Sequence, residues 1–128
     1  MREKDIEDEI RAVLRRHGWT EEKNHQTALN KGRPDLRVGH PDWGTGWVEV
    51  KKPGGKLRDN QVSYMLKWGH VDRIVVCADP AHVLDLLAHV RPGLDEQREH
   101  WKRWATPAQR VRLDGGDPLA DALSEFEG

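Results

Sequence analysis

The stretch Trp47-Val48-Glu49-Val50-Lys51-Lys52-Pro53-Gly54-Gly55-Lys56-Leu57 decides how this chain is read. From Gly46 to Lys51 the residues alternate in character, so Trp47 and Glu49 point to one face of a strand and Val48 and Val50 to the other. Pro53-Gly54-Gly55 then forces a turn. Glu49 and Lys51 flank Val50 at the strand end, which puts their side chains on one face, ~6–7 Å apart along the strand.

Toward the C-terminus, residues 58–69 form an amphipathic helix carrying Val62, Met65 and Leu66 and stopping at Gly69. The run Arg73-Ile74-Val75-Val76-Cys77-Ala78 reads as a fully buried strand. Asp79-Pro80 places an N-cap before a first-turn proline and opens a helix to about Val90. Strand, helix, strand, helix in that order implies a parallel pair joined by a crossover.

Toward the N-terminus, Lys31-Gly32-Arg33-Pro34 punctuates the chain, and Pro34 pushes Arg33 toward extended geometry. Leu36 to Val38 is a short strand followed by a loop through Gly39-His40-Pro41-Asp42, and residues 24–30 carry a weaker strand signal. Residues 3–17 read as a helix with Ile6, Ile10, Val13, Leu14 and His17 on one face and Gly18 as its stop. The expected architecture is α/β, a mixed central sheet flanked by helices over residues 1–92, with a C-terminal helical extension over 93–128. In that extension, residues 94–105 are highly charged yet hold Trp101 and Trp104, and Asp117-Pro118 caps a second short helix. Whether it covers the core or binds a partner is open at this level.

The 128 residues suit one domain with a modest core. With 34% charged residues, no apolar run near the ~20 residues of a membrane span and a charged start at Met1-Arg2-Glu3-Lys4-Asp5, the expected setting is the cytoplasm, without membrane contact. The single cysteine, Cys77, excludes an internal disulfide and four-cysteine zinc sites, and its place in the buried strand marks it as a small core residue. The seven histidines show no ligand spacing. Net charge is −1, but Lys31 to Lys67 holds eight Lys or Arg against four Asp or Glu, leaving 13 basic and 18 acidic residues elsewhere. That asymmetry points to one basic surface for a polyanion.

Chemistry concentrates at three positions. Asp35 opens one short strand, and Glu49 and Lys51 close the next; if the strands pair, Asp35 and Glu49 converge. Two hard carboxylates with room for water suit Mg²⁺ or Mn²⁺. A lysine beside them can orient a water or offset charge developing on a phosphate. Taken singly, each residue is also explained as a turn carboxylate or a solvent-facing strand pair; the combination is not.

Gly32-Arg33-Pro34-Asp35, then Trp47 to Leu57 with Glu49-Val50-Lys51 and Gly54-Gly55-Lys56-Leu57, then Gln61, resembles the VRR-NUC branch of the PD-(D/E)XK nucleases, above all its small stand-alone bacteriophage versions. The likeness spans roughly residues 3–90. It implies a restriction-endonuclease-like core and a Mg²⁺- or Mn²⁺-dependent DNA endonuclease acting on branched or structured DNA in repair or recombination, in the manner of a Holliday-junction resolvase. If phage-encoded, the chain would work in the bacterial host cytoplasm. The resemblance implies Asp35, Glu49 and the backbone carbonyl of Val50 as metal ligands. It places a glutamate on the first helix: Glu7, eleven residues before Gly18, takes that role as a further ligand or through water, with Glu3 as rival and Glu9 third. Lys51 would position the attacking water, and Gln61 would hold Lys51 or the phosphate. Lys31, Arg33, Lys52, Lys56 and Arg58 would contact the DNA backbone.

Trp43, Trp47 and Tyr64 are readable either as base-stacking or as packing residues. A homodimer through the Trp-rich extension would let two sites address two strands. The alternative from another class is a catalytically weak DNA-binding accessory module of a phage recombination or packaging machine. A sequence-specific restriction-type enzyme is disfavoured, because a chain this short leaves little room for a base-reading module.

Overall fold

The computed structural model describes residues 2–25, 27, 29 and 31–115. Asp117-Pro118, with the short terminal helix expected there, lies outside them. The elements run α1 (Glu3–Arg16), β1 (Thr20–Lys23), β2 (Leu36–His40), β3 (Gly44–Val50), α2 (Asp59–Trp68), β4 (Ile74–Cys77), a 3₁₀ turn (Pro80–His82), α3 (Val83–His89), α4 (Leu94–Lys102) and α5 (Pro107–Gly115). One four-stranded sheet, ordered β1-β2-β3-β4, has three antiparallel strands and then β4 parallel to β3 through the α2 crossover. The fold is thus α/β, a mixed sheet flanked by helices. Among the described residues no helix is long and apolar enough to cross a membrane.

The alternation in β3 splits the interior into two cores. Val48 and Val50 join Leu36, Val38, Val75 and Cys77 beneath α1 and α3, which contribute Ile6, Ile10, Leu14, Val83 and Leu87. On the opposite face Ile74, Val76 and the flank of Trp47 meet Val62, Met65 and Leu66 of α2 and Trp101, Ala105 and Leu113 of the C-terminal helices. Sequence periodicity in α1 holds through Leu14, but His17 falls past the last turn and is exposed.

Two strand expectations are corrected. The first strand is Thr20–Lys23, which pairs with Gly39 to Leu36 across its whole length; of the stretch 24–30, residues 26, 28 and 30 lie outside the described residues, and Asn24, His25, Thr27 and Leu29 are not in a strand. Thr-Glu-Glu-Lys lacks an apolar period, because this edge strand exposes Thr20 and Glu22 and meets α1 through ion pairs, Glu21 with Arg11 and Arg15 and Lys23 with Glu7. The second strand runs past Val38 to His40, since Gly39 and His40 pair with Thr45 and Gly44 in a tight hairpin. The helix after Asp79 also differs, beginning with the 3₁₀ turn and becoming α-helical only from Val83 to His89.

Described residues past 93, Leu94, Trp101, Trp104, Ala105 and Leu113 among them, belong to the second core. Helix α4 lies along the free edge of β4 and satisfies its backbone with side chains. Gln97 Oε1 accepts from the Ile74 N–H at 2.7 Å, Trp101 Nε1 donates to the Ile74 carbonyl at 2.8 Å, and His100 Nε2 accepts from the Val76 N–H at 2.8 Å. An uncovered edge strand is a template for aggregation, and this one is covered. Gly69 lets α4 approach, as a Cβ there would lie 2.3 Å from the Trp101 ring. The Trp101 side chain is fully buried within its own chain.

Candidate active site

The site forms where β2 begins and β3 ends. The last antiparallel pair is Leu36 with Val48, so one step further Asp35 faces Glu49. Asp35 Oδ2 accepts from the Val50 N–H at 2.8 Å, fixing the carboxylate at the strand end beside Glu49. Glu49 is only 2% exposed. Burial first, and the adjacent Asp35 charge second, push its carboxyl well above the usual carboxylate range, with Lys51 and Arg58 acting in the opposite direction.

Lys51 is buried with its Nζ 3.7 Å from Glu49 Oε1. Its backbone N–H donates to the Cys77 carbonyl at 3.1 Å, extending the β3–β4 pairing to the site. The Lys52–Gly55 turn folds against its stem. Gln61, in the first turn of α2, is placed differently from expectation. Its Nε2 donates to Glu49 Oε1 at 2.9 Å and its Oε1 accepts from the Arg58 N–H at 2.9 Å, so it holds Glu49 rather than Lys51. That second bond caps the helix, so the start of α2 is tied to the carboxylate.

Glu7 is buried, which separates it from the exposed Glu3 and Glu9. It accepts a short hydrogen bond from Lys23 Nζ. Lys23 pairs with Leu36 in register and therefore faces α1, whereas Glu49 and Gln61 meet on the α2 face. Among the described residues no three His, Cys, Asp or Glu side chains gather as a metal-holding group. The structure thus joins Asp35, Glu49, Lys51 and Gln61, with the Val50 backbone against Asp35, and leaves Glu7 on the other face beside Lys23. Sequence reading did not single out Lys23; a lone lysine in a polar tetrapeptide carries no signal of its own.

Lys31, Arg33, Lys52, Lys56 and Arg58 are all exposed around this end of the sheet. A cavity of about 520 Å³ lies not over the carboxylates but beside them, past the end of β4. It is lined by Gly55, Lys56, His82, His100 and Trp104 among others. His100 is held neutral there, its pKa lowered to about 4 by burial and by Arg103. Trp47 stands edge-on to Tyr64 and carries the Arg37 guanidinium 5.2 Å over its ring.

The donor set suits a hard divalent cation. Two carboxylates face each other, one of them desolvated, with Lys51 beside them and Arg58 also offsetting their charge. No family model, no curated protein and no solved structure matches this chain.

Proposed function

We propose that the chain is a metal-dependent nuclease that hydrolyses DNA phosphodiester bonds on a PD-(D/E)XK-type core of the VRR-NUC branch, acting on branched or otherwise structured DNA. The observation that carries this reading is the buried Glu49 held against Asp35 with Lys51 beside it. Packing alone gives no reason to bury Glu49 beside a second carboxylate; a site that takes a cation does.

In this reading Asp35 and Glu49 hold Mg²⁺ or Mn²⁺, which, when bound, supplies Lewis-acid polarisation of the phosphate and offsets its charge. Lys51 directs its ammonium at the phosphoryl oxygens where negative charge develops, and orients the attacking water. Gln61 fixes the rotamer of Glu49, so the carboxylate needs no reorganisation when substrate arrives. Lys31, Arg33, Lys52, Lys56 and Arg58 contact phosphates flanking the scissile one, a sequence-independent term that weakens with salt. Glu7 stands outside the ligand set, neutralised by Lys23.

The test compares wild type with Glu49→Ala on matched linear duplex, flap and four-way-junction DNA, in Mg²⁺, Mn²⁺ or EDTA. Expected is cutting that needs the metal and vanishes in the variant, strongest on a branched substrate. Binding without cutting on every substrate and with both metals would overturn the nuclease and leave the accessory DNA-binding module as the account.

A further inference from the structure

Beside the site, on the α2 face, the loop ending at Arg33 and the outer surface of α2 enclose a groove of about 370 Å³. Three cations line it, Lys31, Arg33 and Lys67, together with the rings of Tyr64 and Trp68. Among the described lining residues none is acidic. Asp72, whose charge acts on Tyr64, is paired with Arg37 at 3.6 Å. Trp68 is 41% exposed and lies 6.2 Å from the Tyr64 ring, tilted by 33°.

The groove is built in, not incidental. Gly32 has a φ of +88°, and a Cβ there would sit 2.3 Å from the Asn60 carbonyl oxygen, so the loop is seated directly on the first turn of α2. Both walls lead into the site: one passes from Arg33 through Pro34 to Asp35, the other from Asn60 to Gln61. From Gln61 to Trp68 the helix rises about 10 Å, within reach of the nucleotides next to a phosphate held at Asp35.

We infer that this groove receives an unpaired DNA strand leading to or from the scissile phosphate, with a base stacked on Trp68 and its phosphates against Lys31, Arg33 and Lys67. Charge complementarity selects a polyanion. The exposed ring selects an unpaired strand, because in a duplex the base faces are already stacked on one another. Cationic grooves with aromatic platforms bind single strands in this way, and each stacked base contributes strongly. The inference rests on the proposed nuclease site for its direction, and it gives that site its substrate class: DNA with an unpaired stretch at the point of cutting.

The test is binding in EDTA, where no cleavage occurs, of a fluorescein-labelled oligothymidylate and of a duplex of equal length. Proteins are wild type, Trp68→Ala, Trp68→Phe and Lys67→Ala, each shown to melt like wild type. Expected are single-strand affinity lowered by about tenfold or more in Trp68→Ala and largely restored in Trp68→Phe, with duplex affinity unchanged within about twofold. For Lys67→Ala, the slope of log affinity against log salt should shrink by about 0.7 on the single strand. Equal losses on both DNAs, no loss in Trp68→Ala, or no single-strand binding by wild type would each overturn the inference. Cleavage is scored separately. Binding as described without metal-dependent cutting would sink the nuclease and keep the groove; cutting with Trp68 immaterial to single-strand binding would do the reverse.

Discussion

Glu7 and Glu49 are two buried glutamates, one on each face of the same sheet, and their neighbours are opposite in kind. Glu7 meets a lysine from the adjacent strand and forms a closed ion pair. Glu49 meets a second carboxylate, and its nearest ammonium stands at 3.7 Å, outside hydrogen-bonding range. The first arrangement is complete as it stands and serves the fold. The second holds a carboxyl in a desolvated place beside a like group, which raises its pKa and is poor for stability unless something positive arrives. Burial of an acid therefore says little about function until its partner is known.

The largest effect should come from removing the charge at Glu49 while keeping its shape. Glu49→Gln should lower metal-dependent cleavage by on the order of 10³-fold. In EDTA it should melt no lower than wild type, and about 1 kcal/mol more stably if the like-charge strain is as described. Cleavage assays and denaturant melts on the same preparation check both. A variant that lost activity by losing several kcal/mol of stability would make Glu49 a structural residue like Glu7 and erase the contrast.

Lys51→Met should cut the rate by about 10²-fold, since it removes the ammonium aimed at the developing charge. Because that ammonium also repels an incoming cation, the variant should bind Mg²⁺ more tightly, by several-fold, in a titration followed by thermal shift. Weaker Mg²⁺ binding would mean that Lys51 organises the carboxylates instead of competing with the metal.

How much of this was legible in the sequence depends on which forces decide each element. Helix α1, the buried run of β4 and the two faces of β3 announce themselves, because Ile6, Ile10 and Leu14, Ile74 to Cys77, and Val48 and Val50 write their burial into the periodicity. Strand β1 does not, because Thr20 to Lys23 is held by backbone pairing to β2 and by ion pairs of Glu21 and Lys23 with α1, and neither writes an apolar period into the sequence. The C-terminal helix α4 was readable as a charged helix with tryptophans. That Gln97, His100 and Trp101 pair the edge of β4 was not, since the meeting of those polar groups with one strand edge exists only in three dimensions. At the site, residue types and spacing point to Asp35, Glu49 and Lys51. The choice of Glu49 by Gln61, and of Lys23 by Glu7, is tertiary and could only be seen in the fold.

Glu7→Gln should separate the two glutamates most directly. Its cleavage rate should fall by less than about tenfold, while stability drops by about 1–2 kcal/mol as Lys23 is left without its counter-charge in a half-buried place. A loss of rate as deep as that of Glu49→Gln, without a matching loss of stability, would bring Glu7 into the catalytic set from across the sheet.

The smallest effect is a slope in pH. A carboxyl whose folded-state pKa lies above its ordinary value of 4.5 keeps its proton after the unfolded chain has released it. In that window the folded state binds more protons than the unfolded, so its stability falls as pH rises, from full benefit below about 4.5 to none above the raised value. Metal-free wild type should therefore lose stability relative to Glu49→Gln as pH is taken from about 5 to about 8 in denaturant melts. His100, neutral down to about 4, is common to both proteins and cancels in the difference. Saturating Mg²⁺ should flatten the wild-type slope, because a cation bound by the ionised carboxylates displaces the proton that caused it. A slope unchanged by the metal would show that the Asp35–Glu49 pair keeps its proton and does not bind the cation, and the difference between the two glutamates would then be one of packing alone.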